Sequence, residues 1–231
     1  MNTLEDQIKI SRKVIIEMLT DRGYNTTNID NHIPDMIFTT LFAQFENEPF
    51  GHAMGVFDFN CENFTGDKIY VKYIHKHIKK KIKKTNKTFI TDINFEKLHK
   101  KVKDIRDILF NDQVIYVICD TNDVNIEENE KIINLRKKKN VEVFDIKRVM
   151  INITKHFIVP KHEKVSIEEV NKLKKILRIK DIYKLPTLMI YDPVSRYFNF
   201  KQGDVIKITR NSKSTGTHIS YRVCIENEDL L

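Results

Sequence analysis

A mixed α/β fold is predicted by three features of the chain. The run VIYVIC, Val114 to Cys119, is a continuous apolar stretch of β-favouring residues, suited to a strand buried on both faces. After it come a polar turn at Asp120 to Asn125, a helical pattern to about Lys139 and the strand Val141 to Ile146. Such a strand, helix, strand unit argues for a layered fold with a partly parallel sheet. Near the other end, Gly203 leads into a strand at Asp204 to Thr209, and the polar loop Asn211 to Gly216 returns the chain into Thr217 to Cys224, a hairpin.

The remaining elements follow in order. Between Gln7 and Asp21, Ile8, Ile10, Val14, Ile15, Met18 and Leu19 recur at mostly helical spacing, and Gly23 supplies a left-handed stop. A second helical pattern runs from about Asn28 to Phe45. Strands are expected at Ala53 to Phe59 and at Ile69 to Ile74. A helix is expected over Asn94 to Leu109, where Phe95, Leu98, Val102, Ile105 and Leu109 fall on one face. Ser166 with Glu169 forms an S-x-x-E capping box, opening a helix whose Val170, Leu173, Ile176 and Leu177 share a face. A strand at Thr187 to Tyr191 then meets Asp192 and Pro193, an N-cap and first-turn proline that start a short helix. In the final strand Thr217, Ile219, Tyr221 and Val223 point one way, and His218, Ser220, Arg222 and Cys224 the other.

Composition narrows the function classes. With 231 residues, 41% of them apolar, the chain can bury a core of one large domain or two ordinary ones. The net charge of +8 favours an acidic partner, of which nucleic acid is the commonest, although a merely soluble basic protein has the same charge. Cys61, Cys119 and Cys224 stand too far apart for a zinc knuckle or a redox CxxC pair, so a reducing compartment is expected. No apolar run approaches the ~20 residues of a membrane span, and MNTLEDQIKI lacks the apolar core of a secretion signal. The chain is therefore expected to stay inside the cell, or to be packaged from inside it. Frequent isoleucine, lysine and asparagine reflect an AT-rich genome and say nothing about fold.

Few residues carry candidate chemistry. Around KYIHKHIKKKIKKTNK, Ile74, Ile78 and Ile82 recur every four residues, with Lys76, Lys79, Lys80, Lys81, Lys83 and Lys84 spread about them. Those lysines are candidates for DNA phosphate contacts, which add salt-dependent affinity without reading sequence. The alternative is a solvated insertion kept open by like-charge repulsion. A nuclease of the restriction type needs a proline-aspartate step and a later acidic-x-lysine, carboxylates for magnesium and lysine for water. Pro34-Asp35 and Asp145-Ile146-Lys147 match those short patterns, but Pro34-Asp35 lies in a helical pattern, so no catalytic residue is assigned. His75 with His77, and His156 with His162, are pairs without a third ligand of obvious spacing, and no metal site is assigned. No GxxxxGK[ST], GxSxG or GxGxxG occurs, and no cofactor is expected.

Motifs in the last third carry a resemblance. H-x-x-V-P-x-H is present as His156, Val159, Pro160 and His162, and D-P-V-x-R-Y as Asp192, Pro193, Val194, Arg196 and Tyr197. G-x-V-x-K-I-x-R is met by Gly203, Val205, Lys207, Ile208 and Arg210, and a closing Y-R by Tyr221 and Arg222. In this order and spacing they resemble the assembly domain of the fifth common subunit of eukaryotic RNA polymerases I, II and III, a family with an archaeal RNA polymerase counterpart. The run DRGY, Asp21 to Tyr24, looks like the helix end in that family's N-terminal domain.

The resemblance implies a jaw domain over residues 1–150, with a restriction-endonuclease-like sheet, and a small α+β assembly domain over 151–231. It implies no catalysis, docking on the largest polymerase subunit and its neighbours, and a grip on downstream duplex DNA. A eukaryotic or large DNA virus polymerase follows, hence the nucleus for a cellular chain and the virion or a cytoplasmic viral factory for a viral one. Arg196, Tyr197, Lys207, Arg210, Tyr221 and Arg222 are the candidate partner contacts, because arginine pairs carboxylates bidentately and both arginine and tyrosine are enriched at hot spots. Pro160, Pro186, Asp192, Pro193 and Gly203 are read as turn and cap residues. Thr187 stands where the family usually has arginine, and Thr215, Gly216, Thr217 and His218 replace its T-A-G-R-Y turn. Thr121-Asn122 replaces the family's Thr-Pro step, which lies in the part facing DNA, so whether that loop keeps a DNA-facing role stays open. The alternative function is a free-standing basic DNA-binding protein or nuclease.

Overall fold

The computed structural model describes residues 3–29, 33–47, 55–74, 99–100, 102, 112–119, 130–136, 140–212 and 216–226. It divides into two compact units, Met1–Ile151 and Asn152–Leu231. Helix α1, Leu4–Asp21, opens on a reciprocal capping box in which Thr3 Oγ1 accepts from Asp6 N (3.2 Å) and Asp6 Oδ2 accepts from Thr3 N (3.0 Å). Its buried side holds Ile8, Val14, Ile15, Met18 and Leu19 as expected, with Ile16 added, while Ile10 lies at the exposed margin.

The helix stops at DRGY for reasons visible residue by residue. Arg22 is the C-cap and its guanidinium forks onto Glu142, with Nη1 to Oε1 at 2.8 Å and Nη2 to Oε2 at 2.9 Å. Gly23 takes φ +87°, a conformation a Cβ resists. Tyr24 then starts strand β1, Tyr24–Asn25, with its ring buried, and that burial raises its phenol pKa.

Helix α2, Asp35–Asn47, begins later than the expected Asn28, because Pro34 can lead a helix but not continue one; Phe38 N donates to Pro34 O. The strand expected at Ala53 to Phe59 is displaced. Gly55 to Asp58 form a turn in which Asp58 Oδ2 accepts from Gly55 N (2.7 Å), and the alternation resumes in β2, Phe59–Asn63, with Phe59 and Cys61 buried. Strand β3, Lys68–Ile74, pairs antiparallel with β2 and parallel with β4, Gln113–Ile118. Helix α3, Glu130–Arg136, leads to β5, Val141–Asp145, parallel to β4, so the sheet order is β1-β2-β3-β4-β5. The partly parallel sheet is as the sequence predicts, and β4 is buried on both faces. Of the helix expected over Asn94 to Leu109, His99, Lys100 and Val102 are helical and the rest lies outside the described residues.

Lys72 is the surprise of this unit. It lies in the buried middle of β3, where its Nζ donates to Asp58 Oδ2 (2.8 Å), and Asp58 Oδ1 also accepts from Tyr73 N (3.1 Å). The aspartate is thus fully engaged by the turn, the strand and the ammonium, which is the condition for keeping a charge pair in a low-dielectric interior.

The second unit is built on a four-stranded sheet, β6-β8-β9-β7. Here β6 is Lys161–Lys164, β7 Thr187–Met189, β8 Val205–Ser212 and β9 Gly216–Ile225. Helix α4, Ile167–Leu177, is capped by Ser166 Oγ accepting from Glu169 N (3.3 Å). Its expected apolar face is only half used. Val170 and Leu173 pack inward, but Ile176 is 76% exposed and Leu177 47%. Helix α5, Pro193–Phe198, has Asp192 Oδ1 accepting from Val194 N (2.8 Å) at its N-cap, as predicted. Strand β7 is two residues shorter than expected, since Ile190 and Tyr191 already turn toward that cap. Both faces of the sheet carry a core. Val205, Val223 and Ile225 pack with Val165, Leu173 and Leu185 on one, and Ile206, Ile208 and Cys224 pack with Phe200 on the other.

Candidate partner-docking surface

Strand register sorts the predicted contact residues. Lys207 lies opposite Tyr221 on β9 and Glu163 on β6, so these three form a row across the face that holds Val205 and Val223. Lys207 and Lys161 both draw the Glu163 pKa down, with the hydrogen bond from Lys161 Nζ (2.7 Å) the larger cause. Arg210, opposite His218, and Arg222, opposite Ile206, belong to the reverse face. The candidate set is therefore divided between two surfaces. Lys207 is locally compensated, while Arg210 is exposed and makes no ion pair among the described residues.

Arg222 is half-buried, and its Nη1 donates to the Thr187 carbonyl (2.9 Å), which ties β9 to β7 by a side chain as well as by the ladder. Between the two arginines on that face sits His162. Its Nδ1 donates to the Pro160 carbonyl (2.8 Å), which fixes the tautomer and leaves Nε2 without the proton. Burial lowers its pKa, Arg210 and Arg222 lower it further, and Asp192 and the Pro160 carbonyl oppose them. The arrangement favours a neutral ring between cations.

Two candidates need correcting or relocating. Tyr197 is buried, its Oη accepting from Asn152 Nδ2 (3.0 Å) and its ring set edge-on to Phe198, so it serves the interior and not an outer contact. A buried tyrosine hydroxyl needs a hydrogen-bond partner, and the Asn152 amide supplies it here. Arg196, in the last turn of α5, is half-buried.

Other sequence candidates separate cleanly. Lys76, Lys79, Lys80, Lys81, Lys83 and Lys84, with His75, His77, Thr121 and Asn122, lie outside the described residues. Asp35 is in the first turn of α2 and pairs with Lys9, while Asp145 caps a short helical turn, its Oδ1 accepting from Lys147 N (2.9 Å). Each carboxylate thus has a local structural role. His156 Nδ1 accepts from Ile158 N (3.3 Å), so it and His162 are each held by their own turn. Among the described residues no group of three or more His, Cys, Asp or Glu stands where a metal could be held.

Sequence reasoning missed the turn between them. Phe157 is 90% exposed and Ile158 70% exposed, yet the turn is ordered by Val159 N donating to His156 O (2.9 Å) and by the His156 ring stacked on Phe157 with centroids 4.9 Å apart. The available signal was an apolar pair set between a histidine and a proline.

The second unit is thus a surface-forming α+β module, its turns fixed by proline, aspartate and glycine and its charges displayed on two sheet faces. Known proteins share this sequence pattern. Residues 151–224 match the family described as RNA polymerase Rpb5, C-terminal domain. A Dictyostelium discoideum protein, "DNA-directed RNA polymerases I, II, and III subunit rpabc1", is 27% identical, the alignment covering 93% of this chain and 95% of that one. An Arabidopsis thaliana protein, "DNA-directed RNA polymerase subunit 5-like protein 1", is 26% identical, with 97% and 100% covered. Residues 151–224 are thus similar to the Rpb5 C-terminal domain, and nearly the whole chain is similar to proteins named as subunits of DNA-directed RNA polymerases.

Proposed function

We propose that this chain is a non-catalytic subunit of a multisubunit DNA-directed RNA polymerase, docking through its C-terminal unit on the largest subunit and its neighbours while the N-terminal unit helps hold downstream duplex DNA. The observation that carries the reading is the collinear match: relatives named as polymerase subunits align with nearly the whole chain, and the matched C-terminal domain coincides with the second compact unit. Its mechanism is positioning. Phosphate contacts hold a duplex without reading bases, so such a subunit acts on grip and processivity more than on sequence choice. The relatives are polymerase subunits of eukaryotes, which supports the nucleus for a cellular chain; a viral one would work in the virion or a cytoplasmic factory.

Affinity purification of the tagged chain from its source tests the reading. Recovery of the two large polymerase subunits is expected, and their absence, together with tight DNA binding or cleavage by the isolated chain, would favour a free-standing DNA-binding protein or nuclease. In the assembled complex, changing Lys76, Lys79, Lys80 and Lys81 to glutamine should reduce the log-log salt slope of DNA binding by about 0.9 for each phosphate that is no longer neutralised. An unchanged slope removes that lysine run from the grip.

A further inference from the structure

The connection from β2 to β3 presents an aromatic ring that the fold does not use. Phe64 is 97% exposed, the most exposed of the large apolar side chains among the described residues. The turn beneath it is tightly closed. Asn63 N donates to the Asp67 carbonyl (3.0 Å) and Gly66 N to the Asn63 carbonyl (3.1 Å), with Gly66 at φ +86° completing the reversal. Asn63 Oδ1 accepts from Thr65 N (3.0 Å) and Asp67 N (2.8 Å), while Asp67 Oδ2 accepts from Asn63 Nδ2 (3.1 Å) and Thr65 Oγ1 (2.7 Å). None of these bonds uses the Phe64 side chain. It occupies the second position of the hydrogen-bonded turn Asn63 to Gly66, where most residue types are accepted, so a polar residue would close the turn equally well.

We propose that Phe64 is the anchor of a protein-docking tip, received by a basic segment of a partner protein whose apolar side chains cover the ring while its lysines or arginines meet Glu62 and Asp67. The reading goes beyond the grip on DNA proposed for the same unit and does not depend on which assembly the chain joins. Charge complementarity selects the occupant. The Glu62 Oε1 lies 3.6 Å from the point where a Gly66 side chain would begin, which sets its carboxylate at the turn, and the Asp67 carboxylate is bonded into that turn. Neither makes an ion pair among the described residues. Two anionic groups beside the ring repel a phosphate backbone and an anionic lipid surface, although the chain as a whole carries +8. A basic polypeptide satisfies both the ring and the carboxylates. Because the turn is already ordered, little conformational freedom is lost when the ring is covered, and a desolvated aromatic is a usual source of binding energy.

Fluorescence anisotropy on the full chain tests the tip. The probe is a short labelled peptide with leucines and lysines at helical spacing, beside the same peptide with glutamate for lysine and a labelled DNA duplex. Saturable binding of the lysine peptide is expected, weakened about tenfold or more by Phe64→Ser and about threefold by Glu62→Gln, with the glutamate peptide unbound. Binding of the duplex should be the same for Phe64→Ser as for the parent. Both side chains point into solvent, so the variants should melt with the parent by circular dichroism, and a lowered melting temperature would assign Phe64 to the fold instead. The proposal is overturned if the lysine peptide does not bind, if Phe64→Ser binds it as tightly as the parent, if the glutamate peptide binds equally well, or if Phe64→Ser weakens the duplex as much as the peptide.

Discussion

The two units handle charge in opposite ways. In the N-terminal unit the pairs Arg22–Glu142 and Lys72–Asp58 are buried, each reinforced by further hydrogen bonds or a forked geometry. In the C-terminal unit the pairs Lys161–Glu163 and Lys164–Asp204 lie at the surface, and the interior is apolar on both faces of a thin sheet. In the first unit these two buried pairs use charge to specify the fold. The second keeps charge outside, where a partner can meet it.

The largest expected effect sharpens that contrast. Asp58→Ala leaves the Lys72 ammonium buried without its carboxylate and should cost about 3–5 kcal/mol in denaturant unfolding of the N-terminal unit. Lys164→Ala, its surface counterpart, should cost under about 1 kcal/mol. Equal effects would erase the distinction between the units. Next come the caps of the C-terminal unit: Ser166→Ala and Asp192→Ala should each lower its stability by about 1 kcal/mol, read from urea midpoints. The smallest effect concerns pH. The fold depresses the His162 pKa below its ordinary 6.5, so the neutral ring contributes stability that is fully present above that value and is lost as pH falls through the lower folded value. Wild-type melting temperature should therefore drop more steeply than that of His162→Gln on acidification below about pH 6.5. Parallel curves would mean that burial of His162 carries no linkage.

Local signals in the sequence were legible where one short stretch sets its own geometry. Asp192-Pro193, Ser166 and Gly203 announced caps and turns, and Val114 to Cys119 announced a doubly buried strand, because those preferences act over a few residues. The Arg22–Glu142 fork was invisible, since its partners are separated by 120 residues and only the register of β5 beside the end of α1 brings them together. Likewise Lys72 read as a member of a cationic run until the hairpin placed it over Asp58. Tyr197 illustrates the converse: its residue type favours interfaces, but Asn152 captures its hydroxyl inside. Of the candidate surface, the arginines were readable from composition and motif. The division into two faces was not, because it depends on which residue of β8 opposes which of β9.

One consequence follows from the strand order of the C-terminal unit. Strand β9, the last to leave the ribosome among the described elements, is inserted between β8 and β7, and β7 runs parallel to it. Until that segment has been translated, β7 lacks its hydrogen-bonding neighbour and the hydrophobic interior on either side stays open, so the module matures only after synthesis has passed it. During that interval the nascent polypeptide is a natural client for chaperones.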